Sequence, residues 1–190
     1  MNWIVDYKHS QVQATVRHMM ISKVHGSFDK FTVNSDIDAD HVVHSQIKVE
    51  IEAASINTRD EKRDAHLRSA DFLDVEQYAH ITFIKKRGEM IDATHGRMIG
   101  DLTIRDVTHE VVLDVEHLGK AKSPWGTINA GFTAHGQVSR KAWGLDWNAA
   151  LETGGWLVSD EVLIDIEIEF TQVPDLLEQA KPTEPIQVTV

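Results

Sequence analysis

The sequence predicts an all-β protein, an eight-stranded antiparallel β-barrel capped by one short helix. Most of the chain alternates apolar and polar residues with period two, which is the pattern of half-buried strands. The connections between these segments are mostly short and polar, which suits antiparallel pairing. One segment breaks the alternation with helix-forming residues. Closure into a barrel removes exposed sheet edges, although periodicity alone leaves a two-sheet sandwich open.

Eight segments carry the alternation. The clearest is residues 45–56, where isoleucine, valine and alanine alternate with glutamine, lysine and glutamate. Only one convincing helix interrupts the series, which argues against a parallel α/β sheet. The predicted strands are Ser10–His18, His25–Val33, Ser45–Ile56, His80–Lys86, Thr94–Arg105, His109–Leu118, Thr127–Ser139 and Val162–Phe170.

The segment between residues 55 and 74 predicts a short polar helix, about Arg59–Ser69. Asn57 or Thr58 can cap this helix, and Thr58 and Glu61 have the spacing of a capping box, in which each side chain satisfies an otherwise unpaired backbone N–H. Apolar residues are few, so the helix cannot be a core element. We therefore expect it to be a lid over one end of the barrel.

The rest of the chain is less regular. Residues 140–159 hold three of the five tryptophans and predict a loop with a helical turn at the barrel mouth. We expect one domain over residues 1–172. Residues 173–190 would form a tail, with a short helix before a disordered end.

Composition limits the possible partners. The formal charge of −11 argues against nucleic acid and disfavours attachment to an anionic lipid surface. No segment is apolar and long enough to span a bilayer, so no integral membrane association is expected. There are no cysteines, and residues 1–10 lack the apolar stretch of a signal peptide. We therefore expect a cytoplasmic protein.

Inward positions of the predicted strands mix large and small side chains. Two interpretations stay open: the small residues make room for one elongated ligand, or they interdigitate with the large ones in a dry core. The large residues are Phe28, Phe83 and Phe132, and the small ones are Ala14, Ala53, Ala130, Ala134 and Gly136.

No signature of catalysis or of metal binding is found. The pair His41 and His44 lacks a third ligand at suitable spacing, and the chain has no HExxH motif. There is no nucleophile elbow, no phosphate-binding glycine loop and no dinucleotide fingerprint. We predict no catalytic residue, no metal site and no cofactor. His18 falls on the inward face of its strand, where it either meets a ligand or is a satisfied polar residue at the barrel end.

A series of short motifs resembles the YceI-like family in order and spacing, from about Trp3 to Phe170. The resemblance implies an eight-stranded lipocalin-like barrel capped by a helix, which binds polyisoprenoids or fatty-acid derivatives along its interior. Family members are often dimers, so a homodimer is possible here. The motifs are Trp3-x-x-Asp6-x-x-His9-Ser10, Gly26-Ser27-Phe28, Ser55-Ile56-Asn57-Thr58, Arg63-Asp64-x-His66-Leu67-Arg68-Ser69-x-Asp71-Phe72, Ile81-Thr82-Phe83, Gly100-Asp101-Leu102-Thr103-Ile104 and Arg140-x-x-Trp143-Gly144-Leu145.

The leading hypothesis is a non-enzymatic binder, for storage or transport, of a long-chain lipid or isoprenoid. A polar head would meet His18, Arg63, His66 or Arg68 near the lid, unless these residues only form ion pairs on the helix surface. An enzyme with His18 or His66 as general base, and a dry stress or scaffold barrel, are the alternatives. The candidate ligand-binding residues are Val12, Ala14, Val16, His18, Phe28, Ile51, Ala53, Arg63, His66, Leu67, Phe72, Phe83, Leu102, Leu113, Phe132, Ala134 and Ile166.

Overall fold

The strands form one antiparallel sheet. The computed structural model describes residues 2–37 and 42–173, so His41 and residues 174–190 of the predicted tail lie outside it. In this part of the chain there are 11 strands and one α-helix, α1 (Glu61–Arg68). The strands are β1 (Asn2–Val5), β2 (Gln11–His18), β3 (Ser22–Phe28), β4 (Phe31–Asp36), β5 (Gln46–Glu52), β6 (Ile56–Asn57), β7 (His80–Met90), β8 (His95–Ile104), β9 (Val107–Lys122), β10 (Ile128–Ser139) and β11 (Val158–Val173).

The sheet closes on itself through two bent strands. Its order is β4-β5-β7-β8-β9-β10-β11-β2-β3-β6, with β1 paired to β11. Only Asp29 and Lys30 separate β3 from β4, and only Ala53–Ser55, a 3-10 helix, separates β5 from β6. Asp29 N donates to Ser55 O at 3.2 Å and Glu52 N donates to Lys30 O at 3.0 Å, so the pairing continues across both bends. Each bent pair acts as one strand of the barrel.

The predicted barrel is confirmed, and the strand count differs for physical reasons. The bends divide two predicted strands, 25–33 and 45–56, into β3–β4 and β5–β6. The alternating pattern continues through residues 45–53, although the chain leaves the extended conformation at Ala53. β1 was not predicted, because four residues are too few to show a period.

The end of the barrel away from α1 is closed by a 3-10 helix, Val42–His44. Val43 is only 1% exposed. A Cβ on Gly88 would lie 1.9 Å from the Val43 carbonyl oxygen, and one on Gly96 would lie 2.7 Å from Val43 Cγ1. The two glycines let β7 and β8 approach this helix without a gap. We call this region the closed end.

The helix α1 covers the opposite end, as predicted, but its cap is different. Asp60 is the N-cap, and its Oδ1 accepts hydrogen bonds from Lys62 N and Arg63 N, both at 3.1 Å. The Thr58 hydroxyl instead donates to Oδ1 of the buried Asp64 at 2.5 Å. The predicted capping box is therefore wrong. Arg59 has a φ of 65°, which turns the chain so that the helix begins only at Glu61.

Hydrogen bonds also attach the last turn of α1 to the barrel. Arg68 donates from Nε to Ala54 O at 2.8 Å and from Nη2 to Ile56 O at 2.7 Å. The lid is therefore fixed to the bend between β5 and β6 by a cation that bridges two carbonyl groups. Within the described residues, none of the helices has the length and apolar character needed to cross a bilayer.

The predicted loop between β10 and β11 covers the rest of this end. It begins with a 3-10 helix, Arg140–Trp143, which confirms the expected helical turn. Trp143 is buried, and its Nε1 donates to Leu102 O at 3.2 Å. Gly144 follows with a φ of 70°, which ends the turn and directs the loop over the barrel.

Candidate functional site: an apolar barrel cavity

A cavity of about 650 Å³ lies inside the barrel. Its wall is built mainly from valine, isoleucine, leucine and phenylalanine side chains of the strands, with α1 and the β10–β11 loop at one end. Period-two alternation explains this wall, because every second residue of a strand points to the same face. Such a cavity can hold a long apolar molecule away from water.

The structure brings all but one of the predicted ligand-binding residues to the cavity wall. They come from β2, β3, β5, α1, the segment after α1, and β7 to β11. The residues at the wall are Val12, Ala14, Val16, His18, Phe28, Ile51, Arg63, His66, Leu67, Phe72, Phe83, Leu102, Leu113, Phe132, Ala134 and Ile166.

Ala53 is the exception. It lies in the 3-10 helix after β5, is 1% exposed and is not part of the cavity wall. Its N–H donates to Ala79 O at 2.9 Å, because the chain bends here to meet the segment before β7. The prediction that Ala53 lines the cavity, which was based on the alternation of β5, is therefore wrong.

Small inward residues play two different roles. Ala14 and Ala134 line the cavity, whereas Ala130 is fully buried in the surrounding core. A Cβ on Gly136 would lie 2.6 Å from Leu113 Cδ2, so this glycine leaves space for a leucine of the neighbouring strand. Ala130 and Gly136 thus interdigitate with large side chains in the core, whereas Ala14 and Ala134 leave room in the cavity.

The cavity reaches the surface beside the first turn of α1. Asp60, Lys62 and Arg63 belong to its wall and are exposed, whereas nearly all the other wall residues are buried or half-buried. The wall residues His18 and Val24, on β2 and β3, lie at this same end of the barrel. We call this opening the mouth.

Arg63 holds the start of the lid. Its guanidinium donates from Nε to Thr58 Oγ1 at 2.7 Å and from Nη2 to Thr58 O at 2.9 Å. Asp64 accepts from both Thr58 N (2.9 Å) and Thr58 Oγ1. These contacts give Arg63 a structural role in the lid, which the sequence did not show.

His66 connects the lid to the loop above it. Its Nε2 lies 2.9 Å from Asp71 Oδ2. Its ring packs edge-on against Phe72 and Trp147, with ring centroids 5.0 and 4.6 Å apart. Arg68, the other cation considered for a ligand head, is not at the cavity wall and is bonded to carbonyl groups.

Arg140 is a buried cation at the cavity wall that is not among the predicted ligand-binding residues. It donates from Nε to Ser159 O at 2.9 Å, and from Nη1 to Trp147 O at 2.9 Å and to Leu145 O. Burial lowers the pKa of its guanidinium, and the charges of Asp160 and Asp146 oppose that shift. Within residues 2–37 and 42–173, Nη2 has no hydrogen-bond partner. The carbonyl bonds fold the β10–β11 loop around the cation.

Three ligating side chains meet outside the cavity. One ligand atom from each of Asp6, His9 and Glu169 lies within 4.8 Å of the others. Asp6 already accepts hydrogen bonds from His9 (2.9 Å) and from Lys8 N, and the His9 bond lowers the pKa of Asp6 and raises that of His9. Glu169 accepts from Asn129. Existing bonds account for these carboxylates, and we assign no metal to them.

Comparison with known families finds one family model that matches most of the chain. The YceI-like domain model matches residues 3–170. This range includes the strands, the lid and the mouth described above.

Similar curated proteins are found in bacteria. A UPF0312 protein of Staphylococcus aureus strain USA300 is 36% identical over 171 residues, which covers 90% of this chain and 97% of that protein. The UPF0312 protein of strain MW2 matches with the same identity and coverage.

Solved structures share the fold. A YceI protein of Campylobacter jejuni has 32% identity and a TM-score of 0.71, over 83% of this chain and 90% of its own. BcnA of Burkholderia cenocepacia has 22% identity and a TM-score of 0.73 (87% and 99%). A polyisoprenoid binding domain from Saccharophagus degradans has 15% identity and a TM-score of 0.60 (90% and 98%). The last two likenesses show the fold alone.

Proposed function

We propose that this protein, which belongs to the YceI-like family, binds one long-chain apolar molecule, such as a polyisoprenoid or a fatty-acid derivative, inside its barrel. The observation that carries the proposal is the apolar cavity of about 650 Å³ that opens at the mouth. Binding of a hydrophobic ligand is supported at the level of the family, and the choice of ligand is our inference.

The size of the cavity favours a ligand over a dry scaffold. Close-packed protein interiors have few voids larger than a water molecule, which occupies about 30 Å³ in the liquid. On that scale the cavity holds on the order of 20 water-sized groups, or a chain of about 20 carbon atoms. A fold selected only for stability would fill this space with larger side chains, because each lost contact costs free energy.

The polar end of the ligand would lie at the mouth. His18 and Lys62 are the wall residues best placed to meet it, because Arg63 and His66 are already bonded to Thr58 and Asp71. The apolar tail would run between the strands along the residues predicted from the sequence, from Val16 down to Val12 and Phe132. Ala53 is not part of this proposed site.

The proposed role is storage or transport and not catalysis. The S. degradans domain, which is described as polyisoprenoid binding, has the same fold, and a binding role is compatible with that fold. No observation on the described residues singles out a general base at the cavity wall. The cytoplasmic location, the homodimer and the independence from cofactors stay predictions.

A chain-length series tests the proposal. Straight-chain primary alcohols should displace a hydrophobic fluorescent probe with affinities that rise by roughly fourfold per methylene, since burying one CH₂ contributes about 0.8 kcal/mol. The rise should stop near the length that fills the cavity, about 20 carbons. Ile84→Ser, which removes an exposed side chain outside the cavity, is the control and should leave the series unchanged. Displacement that is independent of chain length would contradict the proposal.

A further inference from the structure

The turn between β2 and β3 presents three apolar side chains to solvent beside the mouth. Met19, Met20 and Ile21, which we call the β2–β3 tip, are 40%, 59% and 81% exposed. Trp156 of the β10–β11 loop is 56% exposed. It is close to the tip, because Gly155 lies against Met20 and Met19 N donates to Leu157 O at 2.8 Å.

The backbone conformation of the tip is unfavourable for methionine. Ile21 N donates to His18 O at 3.1 Å and closes a tight turn, in which Met19 and Met20 have φ values of 51° and 66°. Positive φ at both central positions is what a type I′ turn requires, and Asn-Gly is the favoured pair there. A methionine pair is a strained choice for this turn. Its evident effect is to hold apolar side chains outward.

The charged residues of β2 and β3 that flank the tip are both cations, although the protein as a whole is acidic. Arg17 and Lys23 lie directly opposite each other on β2 and β3, and both are exposed. Like charges in this position repel. Within residues 2–37 and 42–173, neither has a carboxylate at ion-pair distance. The residues from Arg17 to Lys23 include no acid, although the whole chain has a formal charge of −11.

The acids that the register places near Arg17 are directed elsewhere. Asp160 accepts from Ser139 at 2.9 Å, and Glu161 accepts from Gln137 at 2.5 Å. The mouth adds the cations Lys62 and Arg63 next to Asp60. An anionic surface facing this end would therefore relieve a repulsion that the protein leaves unneutralised.

We propose that the β2–β3 tip docks on an anionic phospholipid bilayer, with its apolar side chains among the acyl chains and Arg17 and Lys23 on the headgroups. Apolar residues flanked by cations are the composition of interfacial membrane-binding segments. The tip shares its strands with His18 and Val24 of the cavity wall, so docking turns the mouth towards the bilayer. An apolar chain could then move between bilayer and barrel without crossing water.

This inference goes beyond ligand binding and differs from the expectation drawn from composition. The net charge disfavours an anionic lipid surface for the protein as a whole. Screening at physiological ionic strength limits charge effects to roughly 8 Å, so the local charge at the tip decides the contact.

Vesicle co-sedimentation of the full chain tests the proposal, with phosphatidylcholine vesicles that contain or lack phosphatidylglycerol. The key variant is Met19→Asn combined with Met20→Gly, because it removes two of the three apolar side chains of the tip and gives the turn its preferred residues. We expect this variant to stay folded and to bind the anionic vesicles at least about tenfold more weakly. Arg17→Gln combined with Lys23→Gln should weaken vesicle binding about tenfold. It should also remove most of the dependence of binding on phosphatidylglycerol and salt. Trp125→Ser is the matched control, since Trp125 is 89% exposed in the turn between β9 and β10 at the closed end.

The outcomes separate docking from ligand binding. Binding of the parent to anionic vesicles, lost in the Met19/Met20 variant and kept in Trp125→Ser, supports docking. No vesicle binding by the parent, or equal binding by the Met19/Met20 variant, overturns it. A parent that self-associates through the tip and ignores vesicles also overturns it in favour of a second copy of the chain. Probe binding in vesicle-free buffer should be equal in all four proteins, and its failure in the parent would count against the cavity proposal alone.

Discussion

The two ends of the barrel are both covered by short helices, yet the helices are held in opposite ways. The closed end is packed: Val43 is buried against the backbone at Gly88 and Gly96, with no room for a Cβ at either glycine. The lid end is bonded: the polar helix α1 is held by Asp64 on Thr58 and by Arg68 on two carbonyl groups.

This difference indicates which end can open. The Val43 helix cannot move away from the backbone of β7 and β8 without leaving a void. The closed end should therefore stay in place until the barrel unfolds. Hydrogen bonds of the lid can be exchanged for bonds to water, and an eight-residue helix has little stability of its own. Regions that move to admit ligands are drawn from the less stable parts of a structure. We therefore propose that the ligand of the proposed function enters at the lid end.

The largest expected effect is at the closed end. Gly88→Ala would place a methyl group 1.9 Å from the Val43 carbonyl oxygen, so the 3-10 helix or β7 must shift. We expect a loss of about 3 kcal/mol in the free energy of unfolding, at the upper end of overpacking costs. Chemical denaturation measures it. The control is Gly131→Ala on β10, where the nearest atom to the added Cβ is 3.6 Å away and the change should be neutral or slightly stabilising. Equal losses in the two variants would show that the closed end is not tightly packed.

A smaller and local effect is expected at the lid. Asp64→Ala leaves Thr58 N without its acceptor in a buried site, which should cost about 2 kcal/mol. Amide exchange over residues 58–75 should become faster, while β8 and β9 stay protected. Glu61→Ala, an exposed change in the same helix, should leave the exchange pattern unchanged. If the strands of the Asp64 variant exchanged as fast as its lid, the two ends would not be independent.

The smallest effect is a pH dependence of the turn between β7 and β8, at the closed end. Hydrogen bonds from Thr94 N and His95 N, followed by the His95 side chain, lower the pKa of Asp92; the hydrogen bond to Asp92 raises the pKa of His95. His95 therefore stabilises the fold below its ordinary pKa of 6.5, and this contribution is lost as the pH rises through the raised value. The Asp92 contribution is present above 3.8 and is lost as the pH falls through the lowered value.

An NMR titration of the imidazole checks this sign. His95 should titrate above 6.5 in the parent and closer to 6.5 in Asp92→Asn. A parent value at or below 6.5 would mean that the contact between Asp92 and His95 does not form in solution.

Much of the packed part of the molecule could be predicted from the sequence. Period-two alternation predicted the bounds of β2, β8 and β10 to within one residue, and nearly all the candidate residues lie at the cavity wall. The lid helix was recognised because its polar composition breaks that period. These features depend on side-chain pattern, which a sequence shows directly.

The parts of the molecule that are held by hydrogen bonds between distant segments could not be predicted from the sequence. Arg140 belongs to a family motif, but the motif does not show that this arginine is buried, since its partners are carbonyl groups of a loop that only the fold brings around it. The Ala53 bend is hidden by an alternation that continues through it. The helix is capped by Asp60 and not by the predicted Thr58, because the positive φ of Arg59 delays the start of the helix to Glu61.

The most direct test of the central claim, that the cavity holds one long apolar chain, is native mass spectrometry with geranylgeraniol. The parent should carry one bound molecule per chain. Ala134→Trp places an indole inside the cavity and should abolish the adduct. His135→Trp places the same indole on the outer face of β10 and should keep the adduct. Circular dichroism confirms that both variants are folded. A parent without an adduct, or an Ala134→Trp variant that binds as well as the parent, would contradict the account.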